Sequence, residues 1–235
     1  FITIVLLNYG AIIMNIQNLQ KNILFKDLTE KELQSCLTTL NAYEKRYSKG
    51  DIILYAGDTT DYMGMVLSGS VTIESNDIWG NCSILSYVSS GQFFAETYAL
   101  LKGEVLLVDV KANTDSRILF FNISRIFGNM VSFPWKEKVL KNLLIISSHK
   151  NLALSKRNFH TVSKSCRKRL LSYLNSVSLQ KRSNEFDIPF NRQQLADYLN
   201  LERTNMSKEL ARMQSDGIIQ FRKNHFKITK KISED

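Results

Sequence analysis

Between residues 191 and 226 the apolar positions follow two short helical periods and then switch to alternation. Leu195, Ala196 and Leu199 share one face of a run over residues 193–199, and Asn191 with Gln194 has the spacing of a capping box. After Asn200-Leu201-Glu202 a second run opens at Arg203 and repeats Met206, Leu210 and Met213 at i, i+4 and i+7. Thr204, Lys208 and Ala211 gather on the opposite side, flanked by Ser207 and Arg212. The stretch Phe221-Arg222-Lys223-Asn224-His225-Phe226-Lys227 reads as a basic β-hairpin. Two amphipathic helices, a three-residue turn and a cationic hairpin form the order of a winged helix-turn-helix.

Upstream, residues 25–40 are helical in pattern, with Thr29 and Glu32 as a capping box and Leu33, Leu37 and Leu40 on one side. The period then shortens. Runs at 52–55, 65–67, 70–73, 82–85, 105–110 and 118–121 are rich in strand formers and are separated by turns such as Lys49-Gly50-Asp51, Ser68-Gly69 and Ser75-Asn76-Asp77. Eight of the ten glycines lie between Gly50 and Gly128, where these turns fall, so the strands predict a barrel or jelly roll that ends near residue 130. Pro134 then opens a run to about residue 158 without further Pro or Gly, a helix about 37 Å long. Val139, Leu143, Ile146, Lys150 and Ala153 follow a 4-3-4-3 spacing, which fits a seam between two parallel helices, while Leu140 and Leu144 are left to face the chain's own roll. A further helix over 163–177 carries Arg167, Lys168 and Arg169 ahead of Leu170, Leu171 and Leu174.

Charge sharpens this division. Residues 156–235 hold 17 Lys/Arg against 8 Asp/Glu and residues 1–155 hold 14 of each, so the formal charge of +9 resides in the last third. A cationic block beside a neutral one fits a polyanionic partner such as nucleic acid, and a solvated basic surface is the bland alternative. A hydrophobic content of 44% suffices for ordinary cores. Cys36, Cys82 and Cys166 are odd in number and form no CxxC pair, as expected of buried thiols in a reducing cytoplasm. The apolar segment 1–13 is too short to span a membrane and lacks a basic leader; it is read as a non-native leader, with Met14 as the natural start.

Taken together, Lys49-Gly50-Asp51, Leu67-Ser68-Gly69-Ser70-Val71, Gly91-Gln92-Phe93-Phe94-Ala95-Glu96, the long helix, Arg192-Gln193-Gln194-Leu195-Ala196-Asp197, Arg203 and Ser207-Lys208-Glu209-Leu210 resemble the Crp/Fnr transcription regulators over about residues 20–230. The roll motifs alone would also fit a kinase regulatory subunit or a channel's cyclic-nucleotide domain. The resemblance implies an α+β chain with an N-terminal β jelly roll over 14–130, a dimerisation helix over 131–158 and a winged helix-turn-helix domain over 159–235. It also implies a homodimer on a palindromic operator of double-stranded DNA, recruiting or blocking RNA polymerase.

The same resemblance places an effector pocket at Glu96, Thr97, Leu106 and Leu107. Cyclic-AMP-binding members carry a glutamate for the ribose and an Arg-Ser-Ala whose arginine holds the cyclic phosphate. Ala95-Glu96 keeps the carboxylate, but Leu106-Leu107-Val108 stands where the arginine triplet belongs. An unpaired phosphate in an apolar pocket costs several kcal/mol, so gating by cyclic AMP is disfavoured and the small-molecule effector is left unnamed. Three cysteines cannot supply the four ligands of an iron-sulfur sensor, and His149, His160 and His225 all lie outside the roll, which disfavours haem and a cupin metal site. No cofactor, metal or catalytic constellation is expected, and the chain does not read as an enzyme.

For base contacts the sequence nominates Arg203 first, on the strength of the family match, then Lys208, Thr204 and Asn205. Thr204 replaces the glutamate of the cyclic-AMP receptor branch and predicts a different half-site. Asn191, Arg192, Gln193 and Ser207, with Arg222 and Lys223 of the hairpin, are candidate phosphate contacts, although Arg192 or Arg203 pairing with Asp197 or Glu202 is an alternative. A different class stays open: a small-molecule-binding module whose basic tail contacts RNA, a membrane surface or an acidic partner.

Overall fold

Strand Ser116–Phe121 is apolar on both faces, and that fixes the layering of the first half of the chain. Alternate residues of a strand point to opposite sides. Ile118 and Phe120 enter one buried cluster with Ile53, Val66, Val71, Val88, Phe94 and Val110, whereas Leu119 and Phe121 enter another with Phe25, Leu33, Leu37 and Trp135. The sheet that holds this strand is a middle layer, with a second sheet on one side and helices on the other.

The computed structural model describes residues 3–7, 10–14, 16–76, 82–128 and 133–229. They divide into two units, Phe1–Ser148 and His149–Asp235. In chain order the elements are β1 (Thr3–Leu7), β2 (Gly10–Met14), α1 (Ile16–Gln20), a 3-10 turn (Ile23–Phe25), α2 (Glu30–Thr39), β3 (Tyr43–Tyr47), β4 (Ile52–Leu54), β5 (Met63–Ser68), β6 (Ser70–Asn76), β7 (Cys82–Ser89), β8 (Phe93–Phe94), α3 (Glu96–Leu100), β9 (Asp109–Ala112), β10 (Ser116–Phe121), α4 (Arg125–Gly128), α5 (Pro134–Thr161), α6 (Cys166–Lys181), β11 (Glu185–Asp187), α7 (Arg192–Leu199), α8 (Arg203–Ser215), β12 (Ile219–Arg222) and β13 (His225–Ile228). Phe1, Ile2, Asn8 and Tyr9 of the segment expected to be a leader, Asp77 of an expected turn and the expected roll boundary at 129–132 lie outside the described residues.

In the first unit β1 pairs with β2, and two four-stranded antiparallel sheets form the roll in the orders β3-β10-β5-β8 and β4-β9-β6-β7. Phe94 packs between them so closely that a Cβ on Gly64 would stand 2.1 Å from its ring, which explains the glycine inside β5. The edge strand β3 escapes the sequence pattern because Glu44, Lys45 and Arg46 interrupt it. It belongs there because Tyr43 stacks on Phe120 at 5.2 Å and Glu44 takes both Nε and Nη2 of Arg117, at 2.6 and 2.9 Å. Conversely, of residues 105–108, expected in a strand, only Val105 makes an isolated bridge, to Thr59.

Helix α5 corrects the expected seam. Val139, Leu143 and Ile146 are buried in the helix-sheet core of their own unit. Leu144, expected to face the roll, is 69% exposed, while Leu140 is half-buried against the core, Lys150 is half-buried and Ala153 is exposed. Polar anchors on the inward side set the helix rotation. Trp135 donates its ring N–H to Ser35 Oγ at 3.1 Å, Lys138 binds both carboxylate oxygens of Glu32 at 2.8 and 2.9 Å, and the buried Asn142 amide donates to the carbonyls of Leu24 and Lys26. The Lys138 ammonium and the Thr29 N–H hold the Glu32 carboxyl down at about 2.

The second unit folds around Leu170, Tyr173 and Leu174 of α6, Leu195, Ala196 and Leu199 of α7, Met206, Leu210 and Met213 of α8, and Phe226 of the sheet β11-β13-β12. The overall class is α+β, with an N-terminal β-roll, a long helix and a helix-turn-helix followed by a hairpin wing. Leu143→Ala should cost about 2–5 kcal/mol of folding free energy in urea titrations, even when the protein is too dilute to self-associate. Leu144→Ala should move the same curve by less than about 0.5 kcal/mol.

Candidate nucleic-acid interface

Helix α7 starts where the sequence places it, because its cap residue and its third residue satisfy one another's backbone. Asn191 Oδ1 accepts from Gln194 N and Gln194 Oε1 accepts from Asn191 N, both at 2.9 Å. Gln193 is exposed and its Nε2 donates to Asp197 Oδ1 at 2.9 Å. Arg192 turns the other way. Its guanidinium lies 4.8 Å from the Phe221 ring centre and 5.4 Å from that of Phe226, a cation-π contact that ties α7 to the wing. Burial pushes its pKa down. Among the described residues no ion pair joins Arg192 or Arg203 to Asp197 or Glu202, the alternative the sequence left open: Asp197 Oδ1 accepts from Gln193, and Glu202 caps the next helix.

That cap shapes α8. The Glu202 carboxylate accepts the backbone N–H of Thr204 and of Asn205, each at 2.7 Å, and these bonds hold its pKa below the ordinary value. From this start Met206, Leu210 and Met213 turn inward, all at 0% exposure. Arg203, Thr204, Asn205, Ser207, Lys208, Ala211 and Arg212 are exposed. Ser207 Oγ donates to the Arg203 carbonyl at 2.9 Å, so its hydroxyl proton stays within the helix. Behind α8, Arg167 of α6 joins Glu209 at 2.5 Å and Asp216 at 2.8 Å, so this cation serves packing.

The wing follows. Strands β12 and β13 are joined through Lys223 and Asn224, with Lys223 at φ +55°, in the left-handed region. Arg222 and Lys223 are exposed. His225 bridges two carboxylates of the neighbouring strand, Nδ1 to Asp187 at 3.0 Å and Nε2 to Glu185 at 3.2 Å, and these bonds, Asp187 first, raise its pKa. Lys227 adds a further contact to Glu185 at 3.0 Å.

The roll residues singled out for an effector are placed apart in exposure. Glu96 is buried at the start of α3, directly after Ala95 at φ +60°, and Thr97 is exposed. Leu106 is 1% exposed, its amide bonded to Asp58 O and its carbonyl to Gly57 N, while Leu107 beside it is 77% exposed. The position at which the resemblance expects an arginine is a buried leucine. Among the described residues, no group of three or more His, Cys, Asp or Glu could hold a metal ion, and no helix is long and apolar enough to cross a membrane. Sequence periodicity gave no hint of the Arg192 stack, the Glu202 cap or the His225 bridge, since all three depend on side chains outside the apolar stripes.

A β-roll followed by a long helix and a winged helix-turn-helix defines a class of two-part regulators. The first part matches the family model of the cyclic nucleotide-binding domain at residues 44–129, and the last matches the Crp-like helix-turn-helix domain at 168–231. The chain belongs to the Crp/Fnr family of transcription regulators. Among its relatives is the transcriptional activator protein FnrL of Cereibacter sphaeroides, 23% identical over 186 residues, covering 75% of this chain and 72% of that protein. The cAMP-activated global transcriptional regulator Vfr of Pseudomonas aeruginosa is 38% identical over 56 residues, 24% of this chain, and the match spans about a quarter of Vfr, 26%. The solved structure of the c-di-GMP responsive global regulator CLP of Xanthomonas campestris shares the fold with a TM-score of 0.61 at 18% identity, covering 86% of this chain and all of that one.

The His225 bridge sets a pH dependence. A raised pKa means that protonated His225 stabilises the folded wing; this contribution is complete below the ordinary histidine value of about 6.5 and is lost as pH rises through the raised value. In thermal melts across that window the wild type should lose stability with rising pH, and His225→Gln should flatten the slope.

Proposed function

We propose that this chain regulates transcription as a homodimer that reads a palindromic site on duplex DNA. The observation that carries the reading is the division of α8, whose methionine-leucine stripe is wholly buried while Arg203, Thr204, Asn205 and Lys208 stand exposed. A helix presented this way can enter the major groove, where Arg203 has the fork to meet a guanine's O6 and N7 together, and Lys208, Thr204 and Asn205 reach neighbouring base edges. Arg222 and Lys223 on the wing, with Asn191 and Gln193 at the start of α7, are the proposed phosphate contacts, whereas the Ser207 hydroxyl is taken up by the Arg203 carbonyl. Arg192 supports them from beneath, by stacking on the wing.

For the dimer, the seam moves by one residue from the sequence expectation. Leu140, Leu144, Ser147, Asn151 and Leu154 keep the 4-3-4-3 spacing, and Leu144 and Leu154 are 69% and 66% exposed. An asparagine at such a seam favours a parallel pair in fixed register. Two copies would present α8 to half-sites about 34 Å apart, or a multiple of that. Contact with RNA polymerase and a cytoplasmic location follow from the same reading, which involves no catalytic step.

Cyclic AMP is not the proposed effector, because buried Leu106 offers no charge to a cyclic phosphate. The activation named for Vfr does not transfer through a match over a quarter of each chain. Titration calorimetry with cyclic AMP should therefore give no micromolar binding, and a saturable micromolar isotherm would overturn this part. The DNA reading is tested by selecting bound genomic fragments and footprinting them. Arg203→Ala should weaken the selected site by about 1–3 kcal/mol and relax one base position, while Lys223→Ala should weaken all duplexes and lower the salt slope by about one. An unchanged Arg203→Ala footprint would sink the assignment.

A further inference from the structure

The C-terminal end of α7 is capped in a way that no sequence motif announced. An eight-residue helix is marginal by itself, and its last carbonyls lack partners within the helix. Here every carbonyl from Ala196 to Asn200 accepts a hydrogen bond. Leu201 N donates to Ala196 O at 2.9 Å. Arg157, from the last turns of α5, donates Nη2 to Asp197 O at 2.7 Å and Nε to Tyr198 O at 2.9 Å. Arg169 of α6 donates Nη1 to Leu199 O at 3.0 Å and to Asn200 O at 2.8 Å. Arg157 Nη2 also reaches the side-chain oxygen of Asn200, at 3.0 Å, where the backbone takes a left-handed φ of +51° to leave the helix.

One turn beyond Arg157, His160 grips the same target from another side. Its Nδ1 lies 3.0 Å from the Tyr198 hydroxyl, and the Tyr198 ring packs on Phe190 at 5.0 Å and Tyr173 at 5.4 Å. Tyr198 is thus held by its backbone and by its hydroxyl. Only Leu199, Asn200, Leu201 and Glu202 separate Tyr198 from α8, and Glu202 is the cap from which Arg203 and Thr204 depart. Fixing carbonyls 197–200 therefore fixes the direction in which α8 starts.

We propose that Arg157 is a positioning residue for DNA readout: its planar fork, backed by His160, locks the helix-turn-helix turn so that α8 is presented in one orientation. This rests on the DNA-binding reading above. The fork matters because two donors in one plane meet two successive carbonyls, whereas a lysine supplies a single point of charge. The cation also suits the negative end of a helix, which favours the contact electrostatically. With its donors turned to the protein's own carbonyls, Arg157 acts on DNA only through the turn that it holds.

The test uses the full chain, an operator selected with wild-type protein, an unrelated duplex at the same salt, and amide hydrogen exchange. Arg157→Ala should weaken operator binding by about tenfold or more, the loss expected for charge-assisted bonds, and change the unrelated duplex by less than about twofold. Exchange at Asn200 and Leu201 should quicken by a similar factor. Arg157→Lys, which keeps the charge and is the variant to rely on if the alanine form does not fold, should remain about fivefold weaker than wild type on the operator. Equal losses on both duplexes would make Arg157 a phosphate ligand and overturn the proposal, as would full recovery by lysine. If wild-type protein protects no site at all, the DNA reading itself fails; in that case unchanged exchange in Arg157→Lys rejects the lock and faster exchange upholds it.

Discussion

A helix has two sides, and the second unit depends on how α8 divides them. Met206, Leu210 and Met213 close a core that also needs Leu195 and Leu199 of α7, Leu170 and Leu174 of α6 and Phe226 of the wing. Burying that stripe commits one side to the protein, and the other is left with small and polar groups. Everything proposed for this domain follows from that commitment, since a partner can meet only the side the core does not use. The caps then refine its placement, with Asn191 and Gln194 opening α7, two arginines closing it, and Glu202 starting α8.

Much of this was legible in the chain because it rests on local rules. The Asn191-Gln194 and Thr29-Glu32 capping boxes, the Met206-Leu210-Met213 stripe and the Pro134 helix start all form where spacing put them. The failures share a cause. On α5 two neighbouring apolar rows, Val139-Leu143-Ile146 and Leu140-Leu144, differ by one residue, and periodicity cannot say which row its own core claims. The answer came from Trp135, Lys138 and Asn142, whose partners lie 100 or more residues away in sequence. Strand β3 was hidden by its charges, and residues 105–108 form no strand beyond an isolated bridge at Val105, although their composition favours strands.

The charge count also reads differently once the side chains are placed. The last third is cationic, yet Arg157, Arg167, Arg169 and Arg192 are turned to carbonyls, carboxylates or aromatic rings of their own unit. An arginine can serve in this way because its guanidinium is planar and weakly hydrated. The cations left for a polyanion are consequently fewer than the charge count suggests; on the proposed reading they include Arg203, Lys208, Arg222 and Lys223, whereas Arg212 lies 3.7 Å from Glu209.

Among these, Lys223 occupies a backbone conformation that glycine would adopt with less strain. A side chain in the left-handed region costs about 1–2 kcal/mol, so the hairpin tip sits above its energetic minimum for as long as a lysine is kept there. Thermal robustness and ionic reach thus pull on the same residue in opposite directions. A chain optimised for heat resistance alone would surrender this ammonium group first.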